Sequence, residues 1–310
     1  MNAQRAILLM LMFALVSAAA AGCSSAAAPA PAPKTAPPRE IVLSQQTWTE
    51  SQILGSLFRI LLEEKGNFKV KVTDLESFML QWTAFRAGEI DILPAYTSTG
   101  YMTVLKDTGL RNPDEVYKYV KEEFQRQFNA VWLDRLGFYN NYDLAVLPEI
   151  ARQYNLKTYS DLAKVTKKLV IVADVNFFER PDCYPLLNKV YGMEFKSAKT
   201  LAVELKYTTM ANKQADIVNC YTTDAKIDEL GLVVLEDDKH AFPPYDAAPL
   251  IRGEVLKTYP EIADLFASVS GRLTNQKMRE MNRKVDVLKQ EPDAVAREFL
   301  VKEGLLKPTT

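Results

Sequence analysis

Apolar residues recur at two different spacings along the chain. In FKVKVTDL (residues 68–75) they alternate with polar residues, which predicts a β-strand with one buried face. Between Ile53 and Leu61 they recur at intervals of three and four, which predicts an amphipathic helix. Such strands and helices follow one another as far as Asp238. The pattern therefore predicts α/β lobes with mostly parallel sheets.

Local signals indicate where several of these elements begin. Thr49 and Gln52 form a capping-box pattern at the start of the first helix. Asn112 and Pro113 predict the start of a later helix, in which apolar residues recur at every fourth position. The stretch AVWLDRLGFYNNYDLAVL (residues 130–147) predicts two strands joined by a polar kink. Because ligands of α/β sheets bind at strand ends, such junctions are candidate sites.

The amino terminus has the pattern of an exported protein. Arg5 precedes an apolar run, Ala6 to Val16, that is too short to span a bilayer comfortably. Small residues then lead to Cys23, which predicts a lipoprotein signal peptide over residues 1–22 and lipidation of Cys23. An ordinary secretory signal with a chance cysteine is the alternative. Residues 23–39 are rich in Ala and Pro and predict an extended tether, so we expect an extracytoplasmic protein held at the membrane, in the periplasm or at the cell surface, by its lipid anchor only.

Composition narrows the possible functions. The net charge of -1 gives no electrostatic reason to bind nucleic acid. No spacing of His and Cys residues predicts a metal site. The single histidine, His240, has no serine nucleophile motif beside it, and we predict neither a cofactor nor an enzyme. Cys183 and Cys220 form either a disulfide or two buried thiols, and the sequence leaves both open.

Tyrosines lie at four predicted strand ends. They are Tyr96 after EIDIL, Tyr142 in the polar kink, Tyr221 after ADIVNC, and Tyr245 in HAFPPYDAAPLIR (residues 240–252). The adjacent prolines before Tyr245 exclude a helix interior and make that segment stiff. Aromatic faces attract a cation that carries no hydrogen-bond donor, such as trimethylammonium. Most tyrosines simply pack with the hydroxyl at the surface, so position alone does not establish a cage.

Longer stretches of the chain carry a resemblance to a known family. In order, they are TESQILG, GEIDILPAYTSTG, VWLDRLGFYNNYDLAV, LKTYSDLAKV, YPLLNKVYG, YTTDAKI, LVVLEDDKHAFPPYDAAPLIR and MNRKVDVLKQEPDAVAREFL. From Glu40 to Leu306 the sequence resembles the substrate-binding proteins of osmoprotectant ABC transporters, the glycine betaine/carnitine/choline-binding family. The resemblance implies a monomer that delivers its ligand to the permease of an ABC importer.

The resemblance also implies a fold. We expect a two-lobed periplasmic-binding-protein (type II) α/β fold, with the ligand cleft between the lobes and two crossing strands. Residues 40–145 and 239–310 are predicted to form lobe 1, and residues 146–238 lobe 2. The apolar strands LAVL and LVVLEDD flank that middle segment and are the expected crossings.

The resemblance assigns roles to particular residues. A cage for a quaternary ammonium compound, such as choline, glycine betaine or carnitine, falls on Tyr96, Tyr142, Tyr221 and Tyr245. Donors to a ligand carboxylate fall on Thr99 and on Gln46 or Gln45. For Thr99, a local turn hydrogen bond is the alternative.

Several positions depart from the family's pattern. Glu76, Ser77 and Phe78 stand where the family has a Gly-Gly-Ser/Thr turn, and Asp143 and Asp246 follow two of the tyrosines. If the aspartates point inward they favour a cation such as choline over a zwitterion, whereas aspartates more often face solvent. The altered turn keeps open an alternative function, in which the same fold binds a different amine or an amino acid.

Overall fold

The computed structural model describes residues 39–179, 183–201 and 203–308. The predicted signal peptide, Cys23 and nearly all of the predicted tether lie outside these residues. Within the described residues, no helix is both long enough and apolar enough to cross a membrane.

The strands of the described chain form two five-stranded sheets. Their bounds are β1 Arg39–Gln45, β2 Phe68–Asp74, β3 Ile92–Tyr96, β4 Ala130–Trp132, β5 Tyr142–Val146, β6 Val170–Ala173, β7 Ser197–Thr200, β8 Ile217–Tyr221, β9 Val233–Val234 and β10 Ala247–Arg252. Sheet 1 has the order β2-β1-β3-β10-β4, and sheet 2 has the order β7-β6-β8-β5-β9. Each sheet is parallel on one side, whereas β10 runs antiparallel to both of its neighbours in sheet 1 and β5 runs antiparallel to β8 in sheet 2.

Helices connect most of these strands. Their bounds are α1 Thr49–Glu64, α2 Phe78–Ala87, α3 Pro113–Phe128, α4 Pro148–Tyr154, α5 Tyr159–Ala163, α6 Val175–Glu179, α7 Tyr184–Tyr191, α8 Val203–Ala211, α9 Ala225–Glu229, α10 Gly253–Thr258, α11 Glu261–Ala267, α12 Asn275–Asp286 and α13 Pro292–Lys302. A π-helical turn spans Thr99–Val104, and a 3-10 turn spans Thr166–Lys168.

The chain passes between the two sheets twice. It leaves sheet 1 after β4 and enters sheet 2 at β5, through residues 133–141. It leaves sheet 2 after β9 and returns to sheet 1 at β10, through residues 235–246. The strands LAVL and LVV pair with each other inside sheet 2, so the passages lie just outside them. The lobe boundaries at residues 145 and 239 stay a prediction.

Sheet 1 is buried on both faces because helices cover each of them. Leu43 and Ile92 face a cluster that α1, α11, α12 and α13 complete. Leu93 and Ala95 face a second cluster, which α2 and α3 complete with Trp82 and other apolar residues. Alternate residues of one strand thus enter opposite clusters, as the pleat of a strand requires.

Sheet 2 has the same layered arrangement. Leu144 and Ile171 face a cluster that includes residues of α5 and α7, while Ala145 and Val172 face a cluster with residues of α8 and α9. Both sheets are therefore central layers between helices.

Two of the predicted helix starts have different outcomes. Asn112 caps α3, because its side chain accepts from the backbone N–H groups of Asp114 and Glu115. The capping-box prediction for α1 is wrong: Trp48 occupies the N-cap without a side-chain cap, and the Thr49 hydroxyl donates instead to Asp286, 2.5 Å away in α12. A tertiary contact has replaced the local one.

Helix α1 gives a test of this core. Phe58 is fully buried and packs edge-on against Phe266, with ring centroids 4.7 Å apart. We expect Phe58→Ala to lower the free energy of unfolding by about 3–5 kcal/mol, because it removes an aromatic ring and leaves a cavity. Urea denaturation measures the loss. Met79→Ala, at a position 48% exposed on α2, should change it by less than about 0.5 kcal/mol. Equal losses in the two variants would contradict this account of the core.

Candidate functional site

Strand pairing brings the tyrosine positions together in two pairs. Tyr142 at the start of β5 lies directly opposite Tyr221 at the end of β8. Tyr96 at the end of β3 lies directly opposite Ala247, two residues after Tyr245. Each sheet therefore contributes one pair of tyrosine-bearing junctions.

Asn141 connects these junctions. Its side-chain Oδ1 accepts from the backbone N–H of Tyr245 at 2.8 Å. Its backbone N–H donates to Thr222 Oγ1 at 3.1 Å, and its carbonyl accepts from the Thr222 N–H, also at 3.1 Å. Asn141 precedes Tyr142, and Thr222 follows Tyr221, so one residue fastens three tyrosine junctions to each other.

The Pro243–Pro244 segment is fastened to the residues after Tyr96. The Thr97 hydroxyl donates to the Pro244 carbonyl at 2.9 Å, and the Ser98 hydroxyl donates to the same oxygen. Thr97 also exchanges hydrogen bonds with the backbone of Asp246. Proline lacks an N–H donor, but its carbonyl remains a strong acceptor. The segment is therefore stiff and is still held by hydrogen bonds to its carbonyl oxygen.

The rings of Tyr142 and Tyr221 are in direct contact. Their centroids are 4.9 Å apart with a tilt of 42°, and the Tyr221 hydroxyl donates to the Tyr142 hydroxyl at 3.2 Å. Phe242 packs beside Tyr142, with centroids 6.3 Å apart. Both tyrosines remain half-buried.

Tyr96 has partners that the sequence analysis missed. Its ring stacks on Trp48, with centroids 6.0 Å apart and an interplanar angle of 30°. Its hydroxyl donates to Glu50 Oε1 at 2.5 Å. Both partners flank Thr49 in the stretch TWTES, which overlaps a family-like segment. The position of Trp48 and Glu50 beside that segment was the only signal in the sequence that pointed to them. No local pattern shows that the start of α1 lies against the end of β3.

Glu50 is buried at the centre of a hydrogen-bond network. Asn140 Nδ2 donates to Oε1 at 3.1 Å, and Asn282 Nδ2 donates to Oε2 at 3.2 Å. Asn282 Nδ2 also donates to the carbonyl of Thr223 at 3.0 Å. Burial raises the pKa of the Glu50 carboxyl above its usual value, although these donors oppose the rise.

Charged groups lie behind Tyr221 as well. The ammonium of the fully buried Lys206 is 5.8 Å from the Tyr221 ring centroid and 3.9 Å from Asp174 Oδ2. Asp224 accepts from the Tyr221 backbone N–H at 3.0 Å. Burial raises the pKa of the Tyr221 hydroxyl above its usual range, so it stays a neutral phenol at ordinary pH.

The predicted carboxylate-binding residues have protein partners. Gln46 Nε2 donates to Gln81 Oε1 at 3.0 Å, and Gln45 Nε2 donates to Asp74 at 2.9 Å. Thr99 is half-buried at the start of the π-helical turn, three residues after Tyr96. The Gln46 amide thus bonds to a side chain other than the four tyrosines.

The departures from the family pattern also have structural roles. Asp246 forms an ion pair with Arg135 at 3.3 Å. Asp143 accepts from the Tyr159 hydroxyl and from the Leu144 N–H. Ser77 caps α2, and Phe78 stacks on Trp82 with centroids 6.5 Å apart.

A crevice of about 420 Å³ lies beside this junction. It runs between α9, β9 and α12, and its lining includes Tyr139, Asp143, Thr222 and Arg279. None of the four tyrosines lines it. Within the described residues, no group of three or more His, Cys, Asp or Glu side chains is arranged to hold a metal ion.

Cys183 and Cys220 are both buried, in different apolar clusters, and no disulfide joins them. Of the two sequence alternatives, the structure contains the buried thiols. Burial raises the pKa of the Cys220 thiol well above its usual value, which makes it unreactive.

Two layered α/β sheets joined by two chain passages define a two-lobed periplasmic-binding-protein fold. Residues 39–302 match the family described as the substrate binding domain of ABC-type glycine betaine transport systems. The chain belongs to this family. Its members are transport proteins rather than a class of enzymes, and substrate-binding proteins of ABC importers work outside the cytoplasm with a permease as partner.

Individual relatives support the assignment. The chain is 36% identical over 259 residues to a carnitine transport binding protein, OpuCC, of Listeria monocytogenes, covering 83% of this chain and 84% of the relative. It is 32% identical to a glycine-betaine-binding protein of Pseudomonas aeruginosa, with 84% and 87% covered. A crystal structure of a glycine betaine/carnitine/choline ABC transporter protein superimposes with a TM-score of 0.82 at 30% identity, covering 86% of this chain and 99% of the other. The predicted fold and family are confirmed, while the cage residues stay a prediction.

Asp143 gives a pH-dependent test. Burial raises its pKa from 3.8 to about 7. Because the folded state then holds this proton more tightly than the unfolded state, the stabilisation is complete below the unfolded pKa and is lost as pH rises through about 7. Urea denaturation from about pH 4 to about pH 8 should show Asp143→Asn gaining stability relative to the unchanged protein, with no further gain above that range.

Asp107→Asn is the matched control, because Asp107 also accepts a tyrosine hydroxyl, from Tyr101 at 2.9 Å. The Gly109 N–H lowers the pKa of Asp107, so its contribution is lost only toward lower pH. The relative stability of this variant should not rise over the same interval. A flat profile for Asp143→Asn would show that Asp143 is ionised in the folded protein throughout.

Proposed function

We propose that this protein captures a small molecule with a quaternary ammonium group, such as choline, glycine betaine or carnitine, and delivers it to the permease of an ABC importer. Tyr96, Tyr142, Tyr221 and Tyr245 would form the cage around the cation. The ring quadrupole attracts such a cation by about 0.5–2 kcal/mol for each face. The protein would act as a monomer and without catalysis.

The observation that carries the proposal is the convergence of four strand ends at the passages between the sheets. Two of the rings already touch, with centroids 4.9 Å apart, and Asn141, which directly precedes Tyr142, accepts from the backbone N–H groups of Tyr245 and of Thr222, the residue after Tyr221. A cage assembled on fixed backbone loses little entropy when it binds. The carnitine- and glycine-betaine-binding relatives support the same class of ligand.

The carboxylate of a zwitterionic ligand needs donors of its own. We assign this role to Thr99 and Gln46. Thr99 begins a turn only three residues after Tyr96. For Gln46, binding would require its amide to exchange its present acceptor, Gln81, for the ligand.

A second candidate keeps the fold and changes the ligand to a different amine or an amino acid. The altered turn favours it, because Glu76 there accepts from Thr47 at 3.3 Å and Phe78 packs as the first residue of α2. The chain is also 33% identical to an ergothioneine transport permease/binding protein of Helicobacter pylori, of which it covers 48%. Thermal-shift screening with choline, glycine betaine, carnitine, ergothioneine and a polyamine separates the two candidates.

The cage can be tested one ring at a time. Each Tyr→Ala change at the four positions should weaken choline and glycine betaine binding by about 0.5–2 kcal/mol or more, because an aromatic face and its exclusion of water are lost. Each Tyr→Phe change should cost less, because the ring survives.

Calorimetry with both ligands gives the affinities. Tyr119→Ala in α3 is the control and should leave them unchanged, since Tyr119 packs against an apolar cluster of sheet 1 that includes none of the four tyrosines. If Phe proved as harmful as Ala, hydroxyl bonding rather than cation–π attraction would hold the ligand. If the unchanged protein binds no quaternary amine, the proposed function is wrong.

We also propose that Cys23 carries the lipid that anchors the protein outside the cytoplasm. The apolar run and the small residues ahead of it support this assignment. Cys23→Ala should move the protein from the membrane fraction to the soluble fraction, with Cys183→Ala as the control that stays with the membrane. Fractionation and immunoblotting measure the distribution. A Cys23→Ala variant that remains membrane-bound would refute lipid anchoring.

A further inference from the structure

Glu50 is a buried acid without a buried base. It lies in the first turn of α1 with 2% of its surface exposed. Its oxygens accept from two hydroxyls, those of Tyr96 and Thr223, and from the side-chain amides of Asn140 and Asn282. Across the described chain, no Lys, Arg or His forms an ion pair with it. A buried carboxylate normally pairs with a cation, because hydrogen bonds alone replace only part of its hydration.

Two of the amides that donate to Glu50 have oxygens without partners. Asn140 Oδ1 and Asn282 Oδ1 are both buried without a hydrogen-bond partner. Both amides turn their Nδ2 toward the carboxylate, which is what leaves these oxygens unpaired. Buried polar groups without partners are rare enough to need an explanation. One carboxylate and two unpaired carbonyl oxygens thus lie close together, while Arg279, in the same helix as Asn282, donates to the carbonyl of Thr222 at 3.0 Å and forms no ion pair with Glu50 among the described contacts.

Tyr96 connects this region to the cage. Its hydroxyl is 2.5 Å from Glu50 Oε1, while its side chain remains partly exposed. A phenol that donates to a carboxylate becomes more electron-rich, which makes the ring face more attractive to a cation. A cation against this ring would also feel the carboxylate charge directly, because water between them is largely excluded.

We propose that Glu50 is the buried counter-charge for the ligand's cation and that it acts through Tyr96. This inference rests on the proposed function. It makes Glu50 a positioning residue, which touches Tyr96 and not the ligand. Burial raises the pKa of the Glu50 carboxyl, and a cation placed nearby would oppose this rise by favouring the ionised form.

Glu50 also reaches both sheets. Asn282 Nδ2 donates to Glu50 Oε2 and to the carbonyl of Thr223, two residues after β8. The carboxylate is thereby linked to Tyr96 at the end of a sheet 1 strand and to the loop that follows Tyr221. Because Glu50 also holds these elements together, the test separates the effect of its charge from the effect of its shape.

Glu50→Gln and Glu50→Asp make that separation. Gln keeps the shape and an acceptor for the Tyr96 hydroxyl but removes the charge, whereas Asp keeps the charge on a side chain one methylene shorter. If Glu50 is a counter-charge, calorimetry should show choline binding about tenfold weaker or worse in Glu50→Gln, and less weakened in Glu50→Asp. If its role is shape and hydrogen bonding, Gln will bind better than Asp, and the inference is overturned.

A double-variant cycle tests the path through Tyr96. Glu50→Gln should cost less affinity in a Tyr96→Phe background than in the unchanged protein, because phenylalanine has no hydroxyl to carry the polarisation. Independent, additive losses would overturn the proposed path. Asp107→Asn serves as the control at a tyrosine–carboxylate pair apart from the four cage positions and should change choline affinity by less than about twofold.

Thermal unfolding of each variant without ligand shows whether it is folded, and only folded variants enter the comparison. Should Glu50→Gln and Glu50→Asp both fail to fold, the structural role is established and the inference falls. If the unchanged protein binds no quaternary amine, the proposed function fails. If it binds choline and Glu50→Gln binds equally well, only the inference about Glu50 fails.

Discussion

The candidate site depends on how the two chain passages between the sheets are bonded to each other. Asn141 in the first passage accepts from Tyr245 in the second and exchanges two hydrogen bonds with Thr222, which follows β8. The second passage is bonded in turn to Thr97, after β3. Because buried backbone groups must find partners, these bonds are an obligatory part of the fold. They fix the starting points of four tyrosine side chains, and a change in one of them would displace more than one ring.

Acidic side chains near the junction differ in the partners that their carboxylates have. Asp246 has an arginine partner, and Asp143 has a tyrosine hydroxyl and a backbone N–H. Glu50 has only neutral donors. Like Asp143, Glu50 has no charged partner, but of these three acids only Glu50 accepts from the hydroxyl of one of the four tyrosines, although the two aspartates beside the tyrosines were the acids that the sequence pattern singled out. Proximity along the chain was a poor guide to electrostatic environment.

Some local patterns were sufficient to predict structure, and others were not. Alternating apolar residues predicted β2, and Asn112 with Pro113 predicted the start of α3, because both signals act within a few residues. The capping box of α1 failed for the opposite reason. The Thr49 hydroxyl bonds to Asp286, a residue 237 positions away, and a hydroxyl oriented for that contact is not placed to cap its own helix.

The sequence by itself determined the layered α/β fold and the family, since apolar periodicity and ordered motifs survive without coordinates. It also indicated that tyrosines lie at strand ends. Only the tertiary structure decided which strand ends meet, that Trp48 stacks on Tyr96, and that Glu50 accepts from its hydroxyl. The physical reason is that burial and electrostatic environment arise from groups distant along the chain. Glu50 lies next to Thr49 and Ser51 in sequence, yet its carboxylate is buried and accepts from Tyr96, Asn140 and Asn282.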